Sequence, residues 1–118
     1  MPRAEPIPDE ARDAVRNRDG SRCVRCKSYA PFGHWHHRRT RSVRDGSEHS
    51  AANGIWLCPS CHAWVHAHPS EAQLSGWVVS RWADPMQVPV EHARFGTVLL
   101  TPHGGVIPLV TKRTEQPE

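Results

Sequence analysis

Cys58-Pro59-Ser60-Cys61-His62-Ala63-Trp64-Val65-His66 is the stretch on which the fold of this chain turns. Cys58 and Cys61 have the C-x-x-C spacing that lets two thiolates of one tight turn point at a single ion. Pro59 and Ser60 can open a helix at once, because the N–H that proline lacks has no partner in a first turn. The helix runs through His62, Val65 and His66 and is ended by Pro69. His62 and His66, four apart, then project from one face about one turn from each other, which suits chelation of one metal ion. His68 is rotated away from that face.

Upstream, Ile55-Trp56-Leu57 reads as a short apolar strand entering this knuckle, with Asn53-Gly54 as the turn before it. Residues 42–53 read as a loop, and His34 to Thr40, free of breakers, as an extended segment. Further back, Cys23-Val24-Arg25-Cys26 repeats the cysteine spacing, followed by a turn at Tyr29-Ala30-Pro31-Phe32-Gly33. Cys23, Cys26, Cys58 and Cys61 together complete a tetrahedral structural zinc site. The gap between the pairs is wide, so a substantial unit folds between them. A thioredoxin-type redox reading explains two such motifs in so short a chain less well. Four thiolates leave no open position, so this site is silent on catalysis.

Toward the N-terminus, residues 1–7 are Pro-rich and expected to be disordered or loosely packed. Pro8 to Arg18 is expected to be helical, with Asp9 and Glu10 at the positive end of the dipole and Gly20 as the stop. Ala11, Ala14, Val15 and Arg18 share a face. Beyond Pro69, Ser70 reads as an N-cap of a short helix to Ser75, ended by Gly76. Trp77-Val78-Val79 and Val88-Pro89-Val90 read as extended pieces, and residues 98–109 as a terminal hairpin around Pro102-His103-Gly104-Gly105. Residues 111–118 read as a tail.

The organisation is thus a tail and helix over 1–20, a core over 21–69 and an extension over 70–118, forming one small α+β domain. At 118 residues, 37% of them hydrophobic, a domain of this size gains from a metal staple. No stretch reaches the roughly 18 apolar residues of a membrane span. MPRAEPIPDE has no apolar signal region, so the expectation is an intracellular protein whose reduced cysteines bind metal.

Net charge is only +3, but its distribution is uneven: HWHHRRTRSVR, His34 to Arg44, holds four arginines, three histidines and no acid. Such a block suits the phosphates of a polyanion, the alternative being a solvated arginine-rich loop. The tryptophans are expected to pack rather than to stack on bases: Trp56 and Trp64 beside the knuckle, Trp77 and Trp82 in the extension.

The run HHR at 36–38, Asn53 in AANGIWLC and the CPSCHAWVH run at 58–66 resemble an HNH endonuclease of the ββα-metal fold. The resemblance covers about residues 20–69, and the paired knuckles resemble the zinc-containing, treble-clef-like branch of that family. It implies a metal-dependent DNA endonuclease. His37 would be the general base, while His36, His62 and His66 would hold one divalent cation (Mg²⁺, Mn²⁺, Ni²⁺ or Zn²⁺). Asn53 would fix the loop and the orientation of the base. Arg38, Arg39, Arg41 and Arg44 would bind DNA, largely through phosphates, and the products would carry 5′-phosphate and 3′-hydroxyl ends. Many relatives have an acidic residue near the first metal position, so His34 rivals His36 for a ligand or supporting role. Strand alternation sets His36 and His37 on opposite faces, so a bend or bulge is expected there. Residues 69–109 are also similar to small HNH proteins of actinobacterial phages. That likeness implies the host cytoplasm and adds phage packaging proteins as partners. A non-catalytic zinc-finger DNA-binding module is the competing reading.

Overall fold

The computed structural model describes residues 6–109. Helix α1 spans Asp9–Asp19, with Pro8 before it, Asp9 and Glu10 in its first turn, and Gly20 in the left-handed region (φ 68°) ending it. Val15 and Arg18 of the expected face are buried, with Ala11 and Ala14 packed alongside. Of the segment expected to be loose, residues 1–5 lie outside the described residues, and Ile7 packs against α1's cluster. The expected tail, 111–118, also lies outside them.

Strand β1 (His34–His37) pairs antiparallel with β2 (Gly54–Leu57) in the register His34 with Leu57, Trp35 with Trp56, His36 with Ile55 and His37 with Gly54. The register is unbroken, so the bulge expected between His36 and His37 is not formed. Gly54 permits this, because any Cβ there would collide with the Trp35 ring. The bend comes one residue later, where the Arg38 N–H bonds the Asn53 carbonyl at 2.8 Å and the 38–53 loop opens. In β2, Ile55 and Leu57 face one cluster and Trp56 the other, so both faces are covered.

Helix α2 (Pro59–Ala67) follows directly, with Cys58 as its N-cap accepting the Cys61 N–H at 3.4 Å. Helix α3 (Pro69–Leu74) begins at Pro69, not after Ser70. Proline takes the first helical position, and Ser70 falls inside the turn with no capping bond. Trp77-Val78-Val79 is not a strand. Instead, Gly76 (φ 78°) brings the chain so close to the Pro89 carbonyl that no Cβ would fit, and the Val79 N–H bonds the Arg38 carbonyl. Strands β3 (Val90–His92), β4 (Gly96–Leu100) and β5 (Val106–Pro108) form an antiparallel sheet in that order, and the expected terminal hairpin is its β4–β5 half.

One cluster unites the core segment with the extension: Val24, Ile55, Leu57 and Val65 pack with Ala72, Val90, Val98 and Leu100. Each large aliphatic chain buried there contributes about 1.5–3 kcal/mol. Two buried charges tie the segments further. Asp19, fully buried, accepts bonds from Arg18, the Trp56 N–H and His92 Nε2. Burial works against its charge, but the bonds from His92 and Arg18 outweigh it and hold the carboxyl below its ordinary range. Arg38, 1% exposed, donates to the carbonyls of Ala52, Gly76, Pro85 and Val88 at 2.8–3.0 Å. Among the described residues no helix is long and apolar enough to cross a membrane.

Candidate metal centres and the histidine cleft

The two C-x-x-C turns meet. Cys23, Cys26, Cys58 and Cys61 bring their sulfurs within 4.8 Å of one another, and none is in a disulfide. Each turn supplies a backbone N–H to its own first sulfur, Cys26 to Cys23 at 3.5 Å and Cys61 to Cys58 at 3.4 Å. Burial disfavours the Cys58 thiolate, but the bonds from Ser60 and Cys61 outweigh it and bring the thiol down to about 6. Burial pushes Cys61 up to about 12, although Arg25 donates to its sulfur at 3.4 Å. Arg25 in turn lies over the Trp64 ring, 3.8 Å from its centroid. Four sulfurs so close, with N–H donors aimed at them, could hold a metal ion such as zinc. We expect about one tightly held zinc per chain by metal analysis, with Cys58→Ser losing both zinc and the cooperative melt. A zinc-free protein that still folds would refute that expectation.

The second cluster is built of imidazoles. α2 presents His62 and His66 on one face, and β1 brings His36 across to them. The three offer ring nitrogens within 4.8 Å of one another. The Nε2 atoms of His62 and His66 are 3.0 Å apart. His36 is buried, and its Nε2 lies 2.8 Å from the Trp77 carbonyl. A carbonyl only accepts, so that nitrogen carries the proton and Nδ1 keeps its lone pair. Burial, reinforced by the neighbouring rings, pushes His36 and His62 down to about 4, so both are neutral at pH 7. Neutral nitrogens converging from two elements, one fixed by a carbonyl, fit a divalent cation. His34 lies outside this group and reaches the far side of His62, Nδ1 to Nδ1 at 2.8 Å.

His37 keeps to the opposite face of β1, its ring centroid 4.6 Å from that of Trp35. It nevertheless lines the same cleft as His36, His62, His66, Thr40 and Arg41, a cleft of about 610 Å³. Its Nε2 sits 3.2 Å from Nδ1 of His49. Burial and then the Arg41 charge lower His37 to about 4, so it too is neutral at pH 7.

The hydrogen bonds of the Asn53 side chain do not go to His37. Asn53 is buried, accepts the Arg39 N–H at 2.7 Å through Oδ1, and donates through Nδ2 to the carbonyls of Arg39 and Glu48. It clamps the 38–53 loop, holding the backbone two residues beyond His37.

The arginines divide. Arg38 is consumed by four carbonyls in the interior, and Arg39, 7% exposed, is held by Asp45, Ser47 and the Ala83 carbonyl. Neither side chain is placed to meet a phosphate, because the donors of each are turned inward to these partners. Arg41 lines the cleft, and Arg44 is exposed beside Glu48 and His49.

Sequence reasoning missed His49, which stands in no motif spacing and reaches His37 only because the loop returns. It also misjudged Trp82, expected to pack but 86% exposed, beside Arg81. Trp56 does pack as expected, and Trp77 and Trp64 are half-buried against the core cluster.

Compared with family models, curated proteins and solved structures, the chain matches none.

Proposed function

We propose that this chain is a metal-dependent DNA endonuclease of the HNH type, in which β1, β2 and α2 form the ββα-metal unit and the thiolate site serves as its structural zinc. The observation that carries the reading is the opening of His36, His62, His66 and His37 onto one cleft beside Arg41. A scaffold zinc alone does not call for such an arrangement.

His36, His62 and His66 would hold the divalent cation, which when bound supplies Lewis-acid polarisation of the phosphoryl oxygen and of the departing 3′ oxygen. The chain's own residues do the rest. His37, neutral at pH 7, has a lone pair ready to take the proton of the attacking water. A DNA phosphate entering the cleft adds negative charge beside it and raises its basicity. Arg41 lines the cleft where a phosphate would lie, and Arg44 extends the positive edge. Asn53 holds the backbone at Arg39, two residues beyond His37, and Arg39 ties the loop to the turn at Ala83. Arginine forks match phosphates and carry no base code, so binding should weaken with salt and depend little on sequence. The resemblance to small phage HNH proteins suggests the host cytoplasm as the setting and packaging proteins as partners.

Nicking of supercoiled plasmid tests this directly. The wild-type protein is expected to convert it to open-circular or linear DNA with Mg²⁺, Mn²⁺ or Ni²⁺, and to stop with chelator. Binding without cleavage in every metal would refute the nuclease and leave a zinc-stabilised DNA-binding module.

A further inference from the structure

His34 is two residues before His36 in β1 and therefore on the same face of the strand, toward α2. Its ring meets His62 edge-on, with centroids 4.8 Å apart and planes at 79°, and the two Nδ1 atoms are 2.8 Å apart. At that distance one proton lies between the two nitrogens. The identity of its donor follows from the other end of the His62 ring. Nε2 of His62 faces Nε2 of His66 at 3.0 Å, inside the three-histidine group. For Nε2 to offer a lone pair to a cation, the proton of the neutral His62 ring must reside on Nδ1, which then donates to His34. His34 in turn carries its own proton on Nε2, at an exposed position.

The same logic already operates at His36, where the Trp77 carbonyl takes the Nε2 proton and frees Nδ1. The geometry points to His34 as a positioning residue that accepts the Nδ1 proton of His62 and so fixes the tautomer and ring plane of a metal ligand. Ligand histidines are commonly oriented by a carboxylate, carbonyl or water at the second ring nitrogen; here another imidazole fills that place. His34 is then not a ligand itself but has the supporting role that the sequence also left open to it. This role rests on the proposed cation site.

Cobalt(II) titration of the zinc-loaded protein, read by the ligand-field absorption of the added ion, tests it without reference to cleavage. Wild type should bind one cobalt, and His34→Ala should bind it about 10–100-fold more weakly with unchanged zinc content and melting. His34→Asn should restore most of the affinity, because its Oδ1 accepts close to where Nδ1 did. Nitrogen-15 ring spectra of the cobalt-free protein should show His62 as one Nδ1–H tautomer in wild type and His34→Asn, but as a mixture in His34→Ala. Unchanged affinity and unchanged ring spectra in His34→Ala would overturn the role. So would a His34→Asn protein as weak as His34→Ala with an altered ligand field, which would make His34 a ligand. A wild-type protein that takes up no cobalt would refute the cation site itself, whereas a His34→Ala protein that binds like wild type would refute only His34's part.

Discussion

Arg38→Ala should unfold the protein at ordinary temperatures or leave it barely stable, and should do so in the absence of DNA. The guanidinium is buried with no carboxylate partner among the described residues, its positive charge distributed over four carbonyls from three separate segments. Burial lowers it to about 10, still far above neutral pH, so it remains charged. Truncation orphans the carbonyls of Ala52, Gly76, Pro85 and Val88 and opens a cavity where the 50s loop, the end of α3 and the turn before β3 converge. Each buried carbonyl left unsatisfied costs about 1–3 kcal/mol, so the loss of several together is on the order of 3–5 kcal/mol or more. For a domain of this length that is on the order of 10–20 °C in melting temperature. Arg38→Lys, which keeps the charge but cannot fork to four acceptors, should fall between. Thermal melts of zinc-loaded protein measure both. An Arg38→Ala protein that melts like wild type yet binds DNA weakly would restore the phosphate-binding role and contradict the clamp.

His62→Ala should do the reverse, leaving the fold and the thiolate zinc in place while removing cleavage. His62 is only half-buried on α2, and it contributes to none of the sulfur contacts. Its loss would take one of three converging nitrogens from the proposed cation site. The drop in nicking rate should exceed the roughly 10–100-fold typical of losing an outer partner of a metal ligand. Metal analysis on the same sample should still return one zinc per chain. Release of that zinc would show that the two centres are not separate, and undiminished nicking would remove His62 from the chemistry.

The knuckles, α2 and the β2 strand are legible in the sequence because each rests on local geometry. A C-x-x-C turn, a proline in a first turn and an i, i+4 pair mean the same thing wherever they occur. Alternation along β1 was equally legible. It set His36 and His37 on opposite faces, while the resemblance names His36 as the ligand with His34 as its rival. The choice is made by α2, which presents His66 to His36 and the back of His62 to His34.

What was hidden depends on contacts remote in sequence. Four arginines in a run look alike, but Arg38 and Arg39 are drawn inward by acceptors up to 50 residues away, while Arg41 and Arg44 stay at the surface. Likewise His92 becomes a partner of Asp19 across 73 residues, and His49 reaches His37 only through the return of a loop. His37 lines the histidine cleft from the opposite face of a regular strand. No bulge was needed, because the chain turns away just after it.

In the proposed nuclease the two metal centres have different tasks, and His37 works beside only one of them. The most direct test is single-turnover nicking of supercoiled plasmid by wild type and His37→Ala, both shown to be folded and zinc-loaded, at saturating Mn²⁺. Loss of a general base should slow the variant by about 10²–10⁴-fold with DNA affinity nearly unchanged. Cleavage by His37→Ala at the wild-type rate would contradict it.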